Sequence, residues 1–221
     1  MKTIFYIDGF NLYYGITSRG KVVALKENPK IKYPLRIGKY KWLNIEKLCS
    51  ILAKDDEILK IKYFTADIIG EKESTDRQKL YLRVLSELPK VEIIKGKFLT
   101  STPLMKLVNP PPEKANVIKL EEKGTDVNVA SHMLIDAFND CYEKAILISN
   151  DSDLAFPTKY IRDVLKKPVV IFNPQRRPSY DLTISSTAIK PIYNNALKSS
   201  QFMDEIVLSN GEVCKRPDTW K

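Results

Sequence analysis

Histidine occurs once in this chain, at His132, and cysteine three times, at Cys49, Cys141 and Cys214. One histidine excludes catalysis or zinc binding by a histidine cluster. Three scattered cysteines with no C-x-x-C pair argue against a disulfide framework and against a zinc knuckle, and they suit a reducing cytoplasm. Nowhere is there an apolar run of the ~20 residues that a membrane helix needs. Met1-Lys2-Thr3 leads straight into a short apolar stretch ending at Asp8, which is not a signal peptide. A cytoplasmic protein without a membrane partner is therefore expected. Acids are the minority charge, 27 against 36 lysines and arginines, so the net charge is +9. A positive surface attracts polyanions, and nucleic acid is the commonest of these, although solubility alone accounts for many basic proteins.

What is present is an alternation of two periodicities. Residues 2–7, 58–66, 91–98, 145–149 and 169–172 are short continuous apolar runs, the pattern of strands buried on both faces of a parallel sheet. Between them, residues 44–53, 75–88, 127–141 and 154–165 carry apolar side chains at helical offsets of three and four. Pro157 falls in a first helical turn, where its missing N–H costs little. Strand then helix, repeated, predicts an α/β fold with a mostly parallel sheet of about five strands and helices on both faces. One domain is expected over residues 1–198. Two segments interrupt the alternation, near 20–41 and 100–114, and the second holds Pro110-Pro111-Pro112, which favours extended polyproline geometry. Residues 199–221 form a tail whose pattern assigns no element.

The acids fall at informative places. Asp8 ends the first strand, Asp151 and Asp153 follow the strand at 145–149, and Asp126 opens the long helix that starts near Val127. In open α/β sheets, ligands bind outside the carboxyl ends of strands where the strand order reverses. Clustered carboxylates repel one another unless a cation neutralises them, and hard divalent cations such as Mg²⁺ or Mn²⁺ prefer oxygen ligands. One or two such ions can activate water and stabilise the leaving oxygen of a phosphodiester. Singly, each acid has a plainer reading. Asp8-Gly9 is a turn dipeptide, Asp126 and Asp153 suit first helical turns, and Asp151 suits an Asx turn.

Three blocks resemble a known family. Ile7-Asp8-Gly9-Phe10-Asn11-Leu12-Tyr13 is similar to the D-G-x-N-L-Y start of NYN domains. Lys123-Gly124-Thr125-Asp126-Val127 resembles their K-G-x-D-V block, and Ser149-Asn150-Asp151-Ser152-Asp153-Leu154 their S-G-D-S-D-F block. The blocks come in family order, and the text at 149–154 resembles that of the LabA-like branch. NYN domains belong to the PIN-like nucleases. The resemblance implies a three-layer α/β/α fold, a Mg²⁺ or Mn²⁺ cofactor, and cleavage of RNA phosphodiesters. It places Asp8, Asp126, Asp151 and Asp153 at the family's acidic, metal-holding positions. Asn11 falls at its asparagine, which orients a ligand or the scissile phosphate. The chain departs from the family pattern at Asn150, where many members have glycine, and at His132, where many have aspartate. A longer side chain at Asn150 narrows the site, and on a helical wheel His132 lies beside Asn128 and Asp136.

Basic residues complete the reading. Lys30, Lys32, Arg36, Lys39 and Lys41, interleaved with Tyr33, Tyr40 and Trp42, suit a single strand whose phosphates meet lysines and whose bases stack. Lys123, Asn150, Arg176 and Arg177 stand near strand ends and are further candidates for substrate contact. The alternative function is a PIN-like module that binds RNA or a protein without cutting. A phosphatase of the haloacid dehalogenase class fits poorly, because it needs a second aspartate where Phe10 stands.

Overall fold

The computed structural model describes residues 1–17 and 40–220. Its elements in chain order are β1 (Lys2–Asp8), α1 (Gly9–Thr17), α2 (Ile45–Leu52), β2 (Glu57–Thr65), α3 (Lys72–Ser86) and β3 (Val91–Lys95). An arm of four short strands follows: β4 (Lys97–Ser101), β5 (Leu104–Lys106), β6 (Lys114–Asn116) and β7 (Lys119–Lys123). The second half holds α4 (Thr125–Phe138), β8 (Lys144–Ile148), α5 (Ala155–Asp163), β9 (Val169–Asn173), α6 (Tyr180–Ser185), β10 (Ala188–Pro191) and α7 (Asn194–Ser199). A hairpin, β11 (Glu205–Val207) and β12 (Val213–Lys215), and a short helical turn at Asp218–Trp220 follow.

Six strands form one all-parallel sheet in the order β10-β9-β8-β1-β2-β3. Alternation along the strands sends side chains to opposite faces. Phe5, Ile7, Ile61, Tyr63, Ile146 and Ile148 pack with Leu12, Ile16, Ile45, Leu48 and Leu85 on one face. Ile4, Tyr6, Phe64, Leu147, Val169 and Ile171 pack with Val129, Met133, Ala137, Ile161 and Leu182 on the other. Helices therefore cover both faces, giving the three-layer α/β/α arrangement. No helix among the described residues is long and apolar enough to cross a membrane.

Strand order fixes where a site can lie. From β1 the chain builds outward through β2 and β3, then returns by way of the arm and α4 to place β8 on the other side of β1. The order reverses between β1 and β8, and a crevice opens at their carboxyl ends. Asp8 ends β1, and Ser149, Asn150 and Asp151 follow β8.

Several expectations need correction. The sheet has six strands rather than about five, because β10 contributes only Ala188 and Ile189 as apolar signal. The run at 91–98 divides at Gly96, where the chain leaves the main sheet and β4 begins an antiparallel ladder with β7. The segment at 100–114 belongs to this arm. Pro110-Pro111-Pro112 lies in the connection between β5 and β6, strands that pair antiparallel, so it turns the chain back instead of extending it. The helix α1 escapes a reading that treats Asp8-Gly9 as a turn. Asp8 Oδ1 accepts from the Asn11 N–H at 2.9 Å, as a helix N-cap does, so one residue both ends the strand and starts the helix.

The tail is structured as well. Leu208, Cys214 and Trp220 pack on Trp42 and Val84 to form a third apolar cluster. Arg83 on α3 donates to both carboxylate oxygens of Glu212, at 3.1 and 2.9 Å. Trp42 is fully buried here and its Nε1 donates to the Met203 carbonyl at 2.8 Å, so it cannot stack on a base from solvent. Tyr40 packs at the edge of the first core. Lys30, Lys32, Tyr33, Arg36 and Lys39 lie outside the described residues.

Candidate metal centre

Three carboxylates from three separate elements meet at the β1/β8 crevice. Asp8, Asp126 and Asp151 each offer an oxygen, and these oxygens lie within 4.8 Å of one another. Asp8 is nearly buried, with 4% of its surface exposed, while Asp126 and Asp151 are half-buried. Two glycines make the approach possible. A Cβ on Gly9 would stand 2.7 Å from the Phe64 carbonyl oxygen and 2.8 Å from the Tyr63 ring, so only glycine lets α1 start this close to β2. Gly124, at φ +94°, takes the left-handed conformation that turns β7 into α4 and brings Asp126 over the crevice.

Each acid is held by its neighbours. Asp8 accepts from the Asn11 N–H through Oδ1 and from the Ser149 hydroxyl through Oδ2, at 3.1 Å. The same hydroxyl accepts from the Asp151 N–H at 3.1 Å, so buried Ser149 ties the first and third acids together. Asp151 Oδ1 accepts from the Asp153 N–H at 3.0 Å, capping the helical turn Ser152–Leu154. Asp153 itself is exposed and outside the triad, close enough to act on Asp126 electrostatically.

Crowding shows in the acidities. Burial pushes the Asp8 carboxyl up to about 6, with the Asp151 charge adding to the effect and the bonds from Asn11 and Ser149 opposing it. Asp126 also reaches about 6, through burial first and then repulsion from Asp151, Asp8, Glu122 and Asp153. A site that raises two carboxyls is one that a cation would relieve. All its donors are oxygens, which suits a hard divalent ion such as Mg²⁺ or Mn²⁺ and not a soft metal.

The remaining sequence candidates take varied positions. Asn11 Oδ1 accepts from the Asn150 N–H at 3.0 Å and from Gln175 Nε2 at 3.1 Å, so its side-chain carbonyl braces the two loops that follow β8 and β9. Asn150 Nδ2 donates to Gln175 Oε1 and to the Arg177 carbonyl, and its Oδ1 accepts from the Ser179 N–H at 2.7 Å. With both amide donors used in this way, it staples the loop at 175–179. Arg176 is half-buried and Arg177 exposed on that same loop. Lys123 is exposed and pairs with Glu121 at 3.3 Å, and Lys41 Nζ lies 5.9 Å from the centre of the Tyr13 ring. His132 stands outside the triad. Its Nδ1 is 3.1 Å from Lys62 Nζ, which in turn pairs with buried Asp136 at 2.6 Å, and Asp136 accepts from the Tyr6 hydroxyl at 2.7 Å. That network ties α4 to the sheet.

Sequence reading missed three participants. Glu122 lines the crevice and accepts from the N–H and hydroxyl of Thr125, at 3.1 and 2.6 Å, fixing the start of α4. Its signal was the acid pair Glu121-Glu122 just before Lys123-Gly124. Ser149 opened the block at 149–154 without a role assigned to it, and Gln175 carried no signal.

The crevice can be set beside known proteins. The family description "NYN domain" matches residues 2–189. The chain is 32% identical over 192 residues to the 6-hydroxy-3-succinoylpyridine 3-monooxygenase of Pseudomonas putida (strain DSM 28022 / S16), a match that takes in 73% of this chain and 56% of that protein. The chain thus spans little more than half the length of that relative. Its fold is similar to the crystal structure of a protein of unknown function from Vibrio parahaemolyticus RIMD 2210633, with a TM-score of 0.52 and 15% identity over 88% of this chain and 94% of that one. At that identity the likeness concerns the fold alone.

Proposed function

The chain belongs to the NYN domain family, a family of PIN-like nucleases, and from that premise we propose that it is a divalent-metal-dependent nuclease that cleaves RNA phosphodiesters. The observation that carries the reading is the convergence of Asp8, Asp126 and Asp151, from three elements, at the switch point of the sheet. A divalent cation held there supplies charge neutralisation at the phosphate and a lowered pKa for attacking water. The protein's own groups do the rest. Asp8 and Asp151 hold fixed positions through Ser149, and Asp126 faces them from the first turn of α4. Asp153, at the rim, draws the cation in. Asn11 and Asn150 keep the loops after β8 and β9 in place, and Lys41, Lys123, Arg176 and Arg177 attract the phosphates of the strand. The reaction takes place in the cell's cytoplasm.

The name of the Pseudomonas relative favours a second reading, a monooxygenase acting on a hydroxypyridine. The all-oxygen donor set speaks for the nuclease. Single-stranded RNA incubated with the purified full chain in Mg²⁺ or Mn²⁺, with a chelator control, tests the proposal. Metal-dependent cutting supports it. RNA that is bound but never cut in either metal sinks it and leaves the binding module, and oxygen uptake with a hydroxypyridine acid in place of cutting leaves the monooxygenase.

A further inference from the structure

Next to the acidic crevice lies a second cavity, of about 460 Å³, within the range of roughly 300–1,000 Å³ typical of small-ligand sites. The two share Phe10, Tyr14 and Ile68 in their walls, so they adjoin. Their chemistry is opposite. The crevice is lined by Asp8, Glu122, Asp126 and Asp151. Among the described residues, the second cavity has two cations in its wall, Lys41 and Arg77, and no acid.

Its walls are aromatic. Tyr14 is exposed at the shared edge, with its ring edge-on to Tyr13 at 5.6 Å between centroids. Deeper, Tyr81 and Trp220 stand edge to face at 5.9 Å, and both are fixed, Tyr81 by donating its hydroxyl to the Leu43 carbonyl and Trp220 by packing on Trp42. Tyr63, on β2, lines the cavity with only 6% of its surface exposed, and its hydroxyl makes no hydrogen bond to any described residue. A tyrosine hydroxyl at a cavity wall can donate to or accept from a polar ligand atom.

We propose that this cavity is a nucleobase subsite: it takes the base of the nucleotide next to the scissile phosphate, stacked on the tyrosines, with a polar edge on the Tyr63 hydroxyl and a phosphate towards Lys41 and Arg77. The inference rests on the nuclease reading for the identity of its ligand. Planar rings stack on aromatic side chains whatever their sequence, and cations beside them hold the attached phosphate. The subsite therefore selects single-stranded substrate, because a base in a duplex cannot enter it.

The test is direct binding of adenosine and uridine 5′-monophosphates to the full chain in chelator, read by calorimetry, with ribose 5-phosphate as the probe lacking a base. Tyr14→Ala, at an exposed position, should weaken nucleotide binding about tenfold, the loss of one stacking partner. Tyr63→Phe, which keeps the ring, should weaken it roughly fivefold. Cleavage of an oligoribonucleotide with one abasic residue beside the cut should slow in parallel. Ribose 5-phosphate binding as tightly as the nucleotides, or neither tyrosine variant altering affinity, overturns the subsite even if RNA is cut. Tight binding of a pyridine carboxylic acid with none of nucleotides also overturns it. If nucleotides bind as described but no metal supports cutting, the subsite stands and the nuclease reading falls.

Discussion

Replacing Asp8 by asparagine should stabilise the metal-free protein while removing its response to metal. Burial and the neighbouring Asp151 raise the Asp8 carboxyl from 3.8 to about 6. At 1.36 kcal/mol per pKa unit, its ionised form opposes folding by about 3 kcal/mol above pH 6. The sign follows from the direction of the shift. A carboxyl whose folded pKa is raised favours the fold while protonated, fully below the unfolded pKa near 3.8, and loses that contribution as pH rises through about 6. Asparagine resembles the protonated form, and its carbonyl can still accept from the Asn11 N–H. In chelator at pH 7.5 the Asp8→Asn protein should therefore melt higher than wild type. For a chain of this size about 3 kcal/mol corresponds to roughly 6–12 °C, and this is an upper bound. By pH 5 integration of the same linkage leaves about half the advantage. Comparing the two proteins at each pH cancels the titration of all other groups. Adding Mn²⁺ at pH 7.5 should then raise the melting temperature of wild type but hardly that of the variant. A variant less stable than wild type in chelator at pH 7.5, or an advantage that grows on acidification, would refute the reasoning.

Three further outcomes follow from the same structure. Manganese must displace protons from Asp8 and Asp126, both raised to about 6, so its apparent affinity should fall by up to ~100-fold between pH 7.5 and pH 5, as calorimetry would read. Lys62→Met leaves Asp136 charged and largely buried, and denaturant unfolding should register a loss of about 3 kcal/mol that the Lys62→Met/Asp136→Leu double variant partly recovers. Asn150→Ala removes three bonds that hold the loop at 175–179, which should cost roughly 1–3 kcal/mol of stability, whereas a residue that merely touched substrate would alter KM and leave melting unchanged.

Much of the fold was legible because burial on both faces of a parallel sheet leaves an unmistakable pattern. Ile4, Phe5, Tyr6 and Ile7 read as a central strand, and they are one. The helix α4 was visible from apolar offsets at Val127, Ala130, Leu134, Ala137, Phe138 and Cys141, but the face it buries is that of Val129, Met133 and Ala137, while Val127, Phe138 and Cys141 are exposed. What escaped depends on information that a one-dimensional pattern does not hold. β10 is too short to show a period, and α1 begins where Asp8 changes from strand end to cap. The arm is mostly exposed, so its strands lack the apolar runs by which strands are recognised. Trp42 illustrates the limit. Beside lysines in sequence it reads as a stacking platform, yet its burial depends on Leu208, Cys214 and Trp220, far along the chain.

Within the crevice the acids were legible from their places at strand ends and helix starts, and their supports were not. Asp8, Asp126 and Asp151 come together, while Asp153, two residues from Asp151, stays at the rim because Asp151 caps the turn that carries it outward. Ser149 and Gln175 act through hydrogen bonds to Asp8 and Asn11, far away in sequence, whereas Glu122 bonds locally to Thr125. Asn11, expected to orient a ligand or the scissile phosphate, and Asn150, a candidate for substrate contact, both also brace the loops after β8 and β9.

The account turns on whether the three converging carboxylates hold a cation that cuts RNA. The most direct measurement is cleavage of end-labelled single-stranded RNA in Mn²⁺ at pH 7.5 by wild type and by Asp151→Asn, with RNA binding followed in parallel. A cation in this site contributes several kcal/mol to the transition state, so the variant should cut at least ~100-fold more slowly while binding RNA as well as wild type or better. Chelator should abolish cutting by wild type. Equal cutting by the two proteins, or RNA bound by wild type and cut by neither, would contradict the account.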